Sequence, residues 1–307
     1  MNDKESNLSK QSPFQARVPS ELVQQIFSLV PVTQALQCLR LCKHIHSCLA
    51  NDPIFITANI TAFLPVETEM QRKTRPPDSL DDQWFQWPPL HQTVYAKTRM
   101  QQIVAATWGS RSRPGSIPSC ISLCTNLTFL RVNKLVGMIP EKLWDVKTLR
   151  HLDLRKNALT GHLSPHVGNL EALRTLDLNQ NRLYGDIPRE IGGLSQLVFL
   201  SLAHNQFSGC IPDELSNLES LETLDLRGNK LCGEIPLGLS RLVRLEELHL
   251  SGNKLEGPVP PEFQFLTHLV YLSLRDNKLD TAINAKRDLF SRNTAFMLEN
   301  QGFTFIA

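Results

Sequence analysis

Leucines recur through the second half of the chain with a fixed step. Leu149, Leu173, Leu197, Leu221, Leu245 and Leu269 stand 24 residues apart, and each opens the same pattern of apolar and polar positions. In Leu197–Leu202 apolar and variable residues alternate, the period of a short strand with Leu197, Leu200 and Leu202 turned inward and Val198, Phe199 and Ser201 outward. An asparagine follows at Asn157, Asn181, Asn205, Asn229, Asn253 and Asn277. Its amide both donates and accepts, so a stacked column of them is expected to satisfy backbone groups that the inward turn strips of water. Next comes a glycine, at Gly161, Gly185, Gly209, Gly233 and Gly257, which admits a backbone geometry that a Cβ penalises. Ile187-Pro188, Ile211-Pro212 and Ile235-Pro236 follow, softening to Val259-Pro260 and Leu163-Ser164. Proline's fixed φ and missing N–H suit the edge of a second extended segment. A further pair such as Leu215 and Leu218 closes the apolar ring on the convex side. Self-similarity at a fixed period predicts a stacked solenoid, and a solenoid displays a surface, so binding is the first expectation.

The run LxxLxLxxNxLxGxIPxxLxxLxx, present in six copies with the last truncated, resembles the plant-type leucine-rich repeat of plant receptor ectodomains and polygalacturonase inhibitors. Upstream, Leu127, Leu130, Val132, Asn133, Leu135, Gly137, Ile139 and Pro140 form a unit two residues short, and Gly115, Ile117 and Pro118 are the tail of an earlier one. The resemblance implies an α/β leucine-rich-repeat solenoid over 115–280, with short parallel strands on its concave face. Residues 281–307 read as a C-terminal cap, with Ile283, Leu289, Phe290, Phe296, Phe303 and Phe305 as its apolar members. Residues 56–114 read as linker and N-terminal cap: QRKTRPPDSLDDQ is a loop or hinge, and Val94 to Trp108 has a helical period.

A different pattern occupies 18–55. Ser20 is a good N-cap, and Leu22, Val23, Ile26, Phe27 and Val30 form an apolar stripe that Pro31 stops. Thr33 caps a short second helix, and Leu39 to Leu49 reads as a third. The polar stretch 1–17 reads as a disordered N-terminus. Val18-Pro19-Ser20-Glu21-Leu22, Ile26, Leu29, Pro31 and Leu41-Cys42-Lys43 resemble an F-box. Ile45 stands where an F-box usually has tryptophan, and Val18 replaces its opening leucine. The resemblance implies docking onto the Skp adaptor of a cullin-based ubiquitin ligase, with Pro19, Leu22, Ile26, Leu36, Leu39 and Ile45 as apolar anchors. The repeats then hold a target protein while other subunits transfer ubiquitin. The alternative is a leucine-rich-repeat scaffold or receptor-like binding protein whose helical module is only a cap.

Net charge is +2, from 32 basic and 30 acidic residues, so no bulk field favours nucleic acid or membrane. The N-terminal residues show no apolar signal core, no stretch approaches a membrane span, and the seven cysteines lack the paired spacing of secreted repeat caps. These features point to a cytoplasmic or nuclear protein rather than a secreted one. Cys38, Cys42, His44, His46 and Cys48 have the composition of a zinc site but come from one helical run without a second ligand cluster, so no metal is expected. Cys120 and Cys124 read as core, and Cys210 and Cys232 as exposed loop positions. The chain has no phosphate loop, no glycine fingerprint and no HExxH, and neither catalysis nor a cofactor is expected.

Specificity then rests on the outward strand positions. The upstream half offers Phe129, Arg131, Arg150, His151, Arg155 and Arg174, and the downstream half Glu222, Glu247, His249, Tyr271 and Arg275, with Phe199 and His204 between. This reads as a bipolar protein-binding surface, basic upstream and acidic downstream, anchored by the aromatics Phe129, Phe199 and Tyr271.

Overall fold

The computed structural model describes residues 89–98, 100–108, 115–283, 287–289 and 291–305. The N-terminal tail, the 18–55 module with its six adaptor anchors and its His/Cys run, and the linker up to 88 lie outside the described residues. The chain divides into two compact units. The first contributes the helix Pro89–Thr98, on which His91, Tyr95 and Ala96 are buried. Burial lowers the His91 pKa to about 4, because an imidazolium there loses its hydration.

The second unit is the solenoid. Its concave face is an eight-stranded parallel sheet, built from Ala105–Trp108, Phe129–Val132, His151–Asp153, Thr175–Asp177, Phe199–Ser201, Thr223–Asp225, Glu247–His249 and Tyr271–Ser273. Each pairs only with its neighbours in the stack, so Leu152, Leu176, Leu200, Leu224 and Leu248 lie side by side as a wholly buried row. A core made of rows rather than a centre is what a one-dimensional stack requires. The sheet begins earlier than the sequence suggests. Ala105 pairs with Phe129 and Trp108 with Val132, so the helical reading of Val94 to Trp108 is corrected: the helix ends at Thr98 and the last four residues are a strand. Ile103 and Ala106 are buried where later repeats place leucine, and alanine at the second position hid the register.

After each of the seven strands from Phe129–Val132 onward the chain turns through a residue with positive φ: Lys134, Lys156, Gln180, His204 and Asp276, with Gly228 and Gly252 completing the series. The asparagine column sits inside this turn. Asn205 Oδ1 accepts the Leu183 N–H at 3.1 Å, and Nδ2 donates to the carbonyls of Leu178 (2.9 Å), Leu202 (3.0 Å) and Ala203 (3.1 Å). One side chain thus ties its own turn to the preceding repeat. In the short first unit the missing residues fall in this turn, yet Asn157 still reaches back to the equivalent groups, the Val132 carbonyl and the Leu135 N–H.

A second row of strands follows on the lateral face. Val136–Met138, Ala158–Gly161, Arg182–Asp186 and Gln206–Ser208 form one sheet, and Cys232–Gly233, Lys254–Gly257 and Lys278–Leu279 another. The prolines then start short 3-10 helices on the convex side, Pro188 ahead of Arg189–Gly193 and Pro212 ahead of Asp213–Asn217. Ser164 stands in for proline in one repeat, and its Oγ accepts the His166 N–H. Leu215 and Leu218 are wholly buried, as the apolar ring demands.

The C-terminal segment covers the open edge of the concave sheet. Around the helix Arg292–Glu299, the Met297 sulfur accepts the Leu272 N–H and Gln301 Oε1 accepts the Leu274 N–H at 2.6 Å, while Gln301 Nε2 donates to the Leu272 carbonyl at 2.8 Å. An unpaired edge of this kind is a template for aggregation. Ile283 and Phe303 are buried there as expected, but Leu289 is exposed.

Candidate functional site on the concave face

The strand register sorts the outward residues into columns. Immediately before the strands run Arg150, Arg174, Val198, Glu222, Glu246 and Val270, each linked to the next by a backbone N–H to carbonyl bond. All but the half-buried Val198 are exposed. Two arginines thus face two glutamates across one valine, and among the described residues none of these four takes part in an ion pair. The bipolar pattern is sharpest in this rim.

The next column consists of Phe129, His151, Thr175, Phe199, Thr223, Glu247 and Tyr271. It is less open than the sequence suggests, because residues about 5 Å apart on neighbouring strands lean on one another. Phe129 and Phe199 are half-buried, and Tyr271 is 49% exposed. The Phe129 and His151 rings lie 5.9 Å apart, His151 Nδ1 is 3.0 Å from Thr175 Oγ1, and Tyr271 stacks on His249 at 4.7 Å. Phe199 is flanked by two threonines, Thr175 and Thr223, and is the single large apolar side chain mid-column.

The third column, Arg131, Asp153, Asp177, Ser201, Asp225, His249 and Ser273, is the floor. Here several of the charges are paired with one another. Arg131 and Arg155 both meet Asp153 (3.2 and 3.4 Å), Arg155 also meets Asp177 (3.3 Å), Arg227 meets Asp225 (3.2 Å), and His249 lies 3.2 Å from Glu247. Two of the four upstream arginines, Arg131 and Arg155, are thus held within the floor. Asp177, Ser201 and Asp225 are buried. Burial pushes the Asp177 carboxyl up, the Asn179 N–H opposes this, the neighbouring Asp153 adds to it, and Arg155 partly offsets it.

Two expected members stand apart. His204 lies beyond the strand in a left-handed turn and is exposed. Arg275 reaches the C-terminal cap, where its Nη2 donates to the Asn300 carbonyl at 2.9 Å.

Other candidate chemistry resolves into structure. His166 Nδ1 and Ser164 Oγ both contact Glu141 Oε2, at 2.9 and 2.6 Å, which holds that carboxyl below its usual range. Ser164 Oγ also accepts the His166 N–H, so the trio caps the 3-10 helix Pro165–Asn169. Cys124 is buried, which pushes its thiol up to about 12. No group of three or more His, Cys, Asp or Glu among the described residues is arranged to hold a metal ion. The sequence predicts a second extended segment on the lateral face but not the side chains it exposes: Met138, 70% exposed, lies there with Tyr184, whose ring meets His162 at 4.5 Å. The alternation within the GxIP segment was the signal that could have found them.

Comparison with known proteins agrees with this architecture. A leucine-rich repeat region matches over 116–254, a further leucine-rich repeat over 244–266, and the F-box domain over 16–57. Among solved structures, the plant peptide hormone receptor RGFR1 in complex with RGF2 is 33% identical, with 66% of this chain and 32% of that chain covered and a TM-score of 0.59. The ectodomain of the Arabidopsis receptor kinase HAESA, in complex with an IDA peptide hormone ligand, is 31% identical over 67% of this chain and 33% of its own, with a TM-score of 0.55. A plant ice-binding protein is 28% identical over 64% and 63% of the two chains, with a TM-score of 0.54. This chain spans a third or less of the lengths of the RGFR1, GASSHO1/SCHENGEN3 and PEPR1 chains that it matches. No curated protein matches it. No helix among the described residues is long and apolar enough to cross a membrane. With the F-box match ahead of the repeats, this chain is a leucine-rich-repeat protein that carries an F-box domain at its N-terminal end.

Proposed function

We propose that this chain is the substrate-recognition subunit of a Skp-cullin-F-box ubiquitin ligase, acting in the cytoplasm or nucleus and carrying no catalysis itself. The observation that carries this reading is the order of modules: an F-box match at 16–57 followed by a solenoid. In this reading Pro19, Leu22, Ile26, Leu36, Leu39 and Ile45 seat the Skp-type adaptor. The target protein lies along the concave face, with Phe199 as its central apolar anchor and Arg150, Arg174, Glu222 and Glu246 setting its orientation by charge. Phe129, Arg131, His151, Arg155, Glu247, His249 and Tyr271 frame the anchor, while His204 and Arg275 flank it.

Co-expression of the intact chain with a Skp adaptor tests the ligase role. A stable complex is expected, lost on Leu22→Asp. Absence of a complex, where a known F-box protein binds in parallel, overturns the role and leaves the chain as a scaffold. That second reading draws support from the similar receptor ectodomains, whose structures hold peptide hormones. It predicts target capture by the concave face with no adaptor bound.

A further inference from the structure

We propose that Cys210 and Cys232 form a dithiol on the lateral face that a low-molecular-weight disulfide converts, reversibly, into a disulfide bond between neighbouring repeats. The inference stands apart from the ligase reading, since neither residue belongs to the concave face or the F-box.

Both cysteines are free and exposed. Their positions are fixed by the repeat. Asp186 and Ser208 are direct register partners in the lateral sheet, and Cys210 and Cys232 stand 24 residues after each of them. The same pairing one repeat on is seen in the backbone, where the Cys232 N–H donates to the Gly209 carbonyl at 2.9 Å. Neighbouring parallel strands lie about 4.8 Å apart, inside the roughly 4.4–6.8 Å that a disulfide spans between α-carbons.

The sulfurs lean toward one another's strand. Cys232 Sγ points back, donating to the Gly209 carbonyl at 3.6 Å, next to Cys210 in the chain. Cys210 Sγ points forward and lies 2.9 Å from where a Cβ would stand on Gly233, next to Cys232. Side chains of the equivalent pair already touch, Ser208 Oγ donating to Asp186 Oδ1 at 3.5 Å. Gly233, at φ +77°, leaves the space over which the bond closes. Cys120 and Cys124 offer no rival pair, since Cys124 is buried.

The chemistry is two exchange steps. One protein thiolate attacks a sulfur of the reagent disulfide, forming a mixed disulfide and expelling one reagent thiolate. The second protein thiolate attacks the protein-side sulfur of that mixed disulfide, forming the Cys210–Cys232 bond and expelling the other. The protein gives up two electrons, the reagent gains them, and the two released thiolates take up the two thiol protons.

The test uses the full chain with oxidised glutathione as the probe, followed by alkylation and peptide mapping. Trypsin cuts after Arg227 and Lys230 and so leaves the two cysteines on separate peptides, which only the new bond joins. The expected result is a Cys210–Cys232 cross-link that reductant removes. Cys210→Ser abolishes the cross-link and leaves Cys232 as a stable glutathione adduct, and Cys232→Ser does the converse. Both variants keep the circular dichroism spectrum and melting temperature of the reduced protein, because the substituted positions are exposed. Wild-type protein in which both cysteines hold separate glutathione adducts, or stay free, with no cross-link overturns the proposal.

Discussion

Asn205 and Phe199 lie six residues apart on one repeat and belong to separate economies of the molecule. Asn205 is buried and satisfies four backbone groups. Truncating it orphans several of them at once, so Asn205→Ala is expected to lower stability by about 3 kcal/mol, read as a fall in melting temperature. Phe199→Ala removes a half-buried ring flanked by threonines and is expected to change stability by no more than about 1 kcal/mol while weakening target binding in a pull-down. Equal loss of both properties in either variant contradicts this division. Gly228 shows the same logic in the backbone. Its φ is +66°, and a Cβ there would stand 2.7 Å from the His204 Nδ1, so Gly228→Ala is expected to cost at least about 1 kcal/mol. These slots were legible in the sequence because the 24-residue period separates constant from variable positions. The charge pairing was not. Arg155 reads as a free cation until the stack sets Asp153 and Asp177 beside it, and that neighbourhood exists only once repeats are superposed.

At the level of elements, the period also hid what breaks it. The strand Ala105–Trp108 escaped detection because Ala106 fills a leucine slot and because helical and strand periods are hard to tell apart over four residues. The convex 3-10 helices were foreshadowed by their prolines, whose φ suits the residue before a helix as well as the end of a strand. The C-terminal cap shows how an aperiodic tail acts on a periodic sheet. Gln301 both accepts from Leu274 and donates to Leu272 on the last concave strand. Gln301→Ala is therefore expected to destabilise the protein by about 2 kcal/mol in denaturant titration, and to raise light scattering as the freed edge recruits other chains.

For the whole molecule, acid sensitivity has a source outside the repeats. His91 is buried with its pKa lowered to about 4, against 6.5 for an unhindered imidazole. Between these values the unfolded chain binds a proton that the folded chain refuses, so stability rises with pH across the window and falls as pH drops from 6.5 toward 4. His91→Gln is expected to flatten the melting temperature over that range, whereas an unchanged slope assigns the acid loss elsewhere. The outward strand positions of the concave face were legible as a set of residues, yet the distribution of charge among them was not. The floor neutralises itself, and the rim of Arg150, Arg174, Glu222 and Glu246 carries the polarity.

The asparagine column gives the solenoid a direction in time as well as in space. Each amide completes the turn of the repeat before it: Asn277 receives the Leu255 N–H and donates to the Leu250 carbonyl. Like roof tiles laid from one eave, every unit is finished only when its successor arrives. A chain emerging from the ribosome therefore always has one incomplete turn at its growing end, and a chain cut between repeats keeps one. Copies of the 24-residue unit inserted in the interior inherit a finisher and a unit to finish, so this array can lengthen by duplication at little cost, while loss from its C-terminal end exposes an unfinished turn.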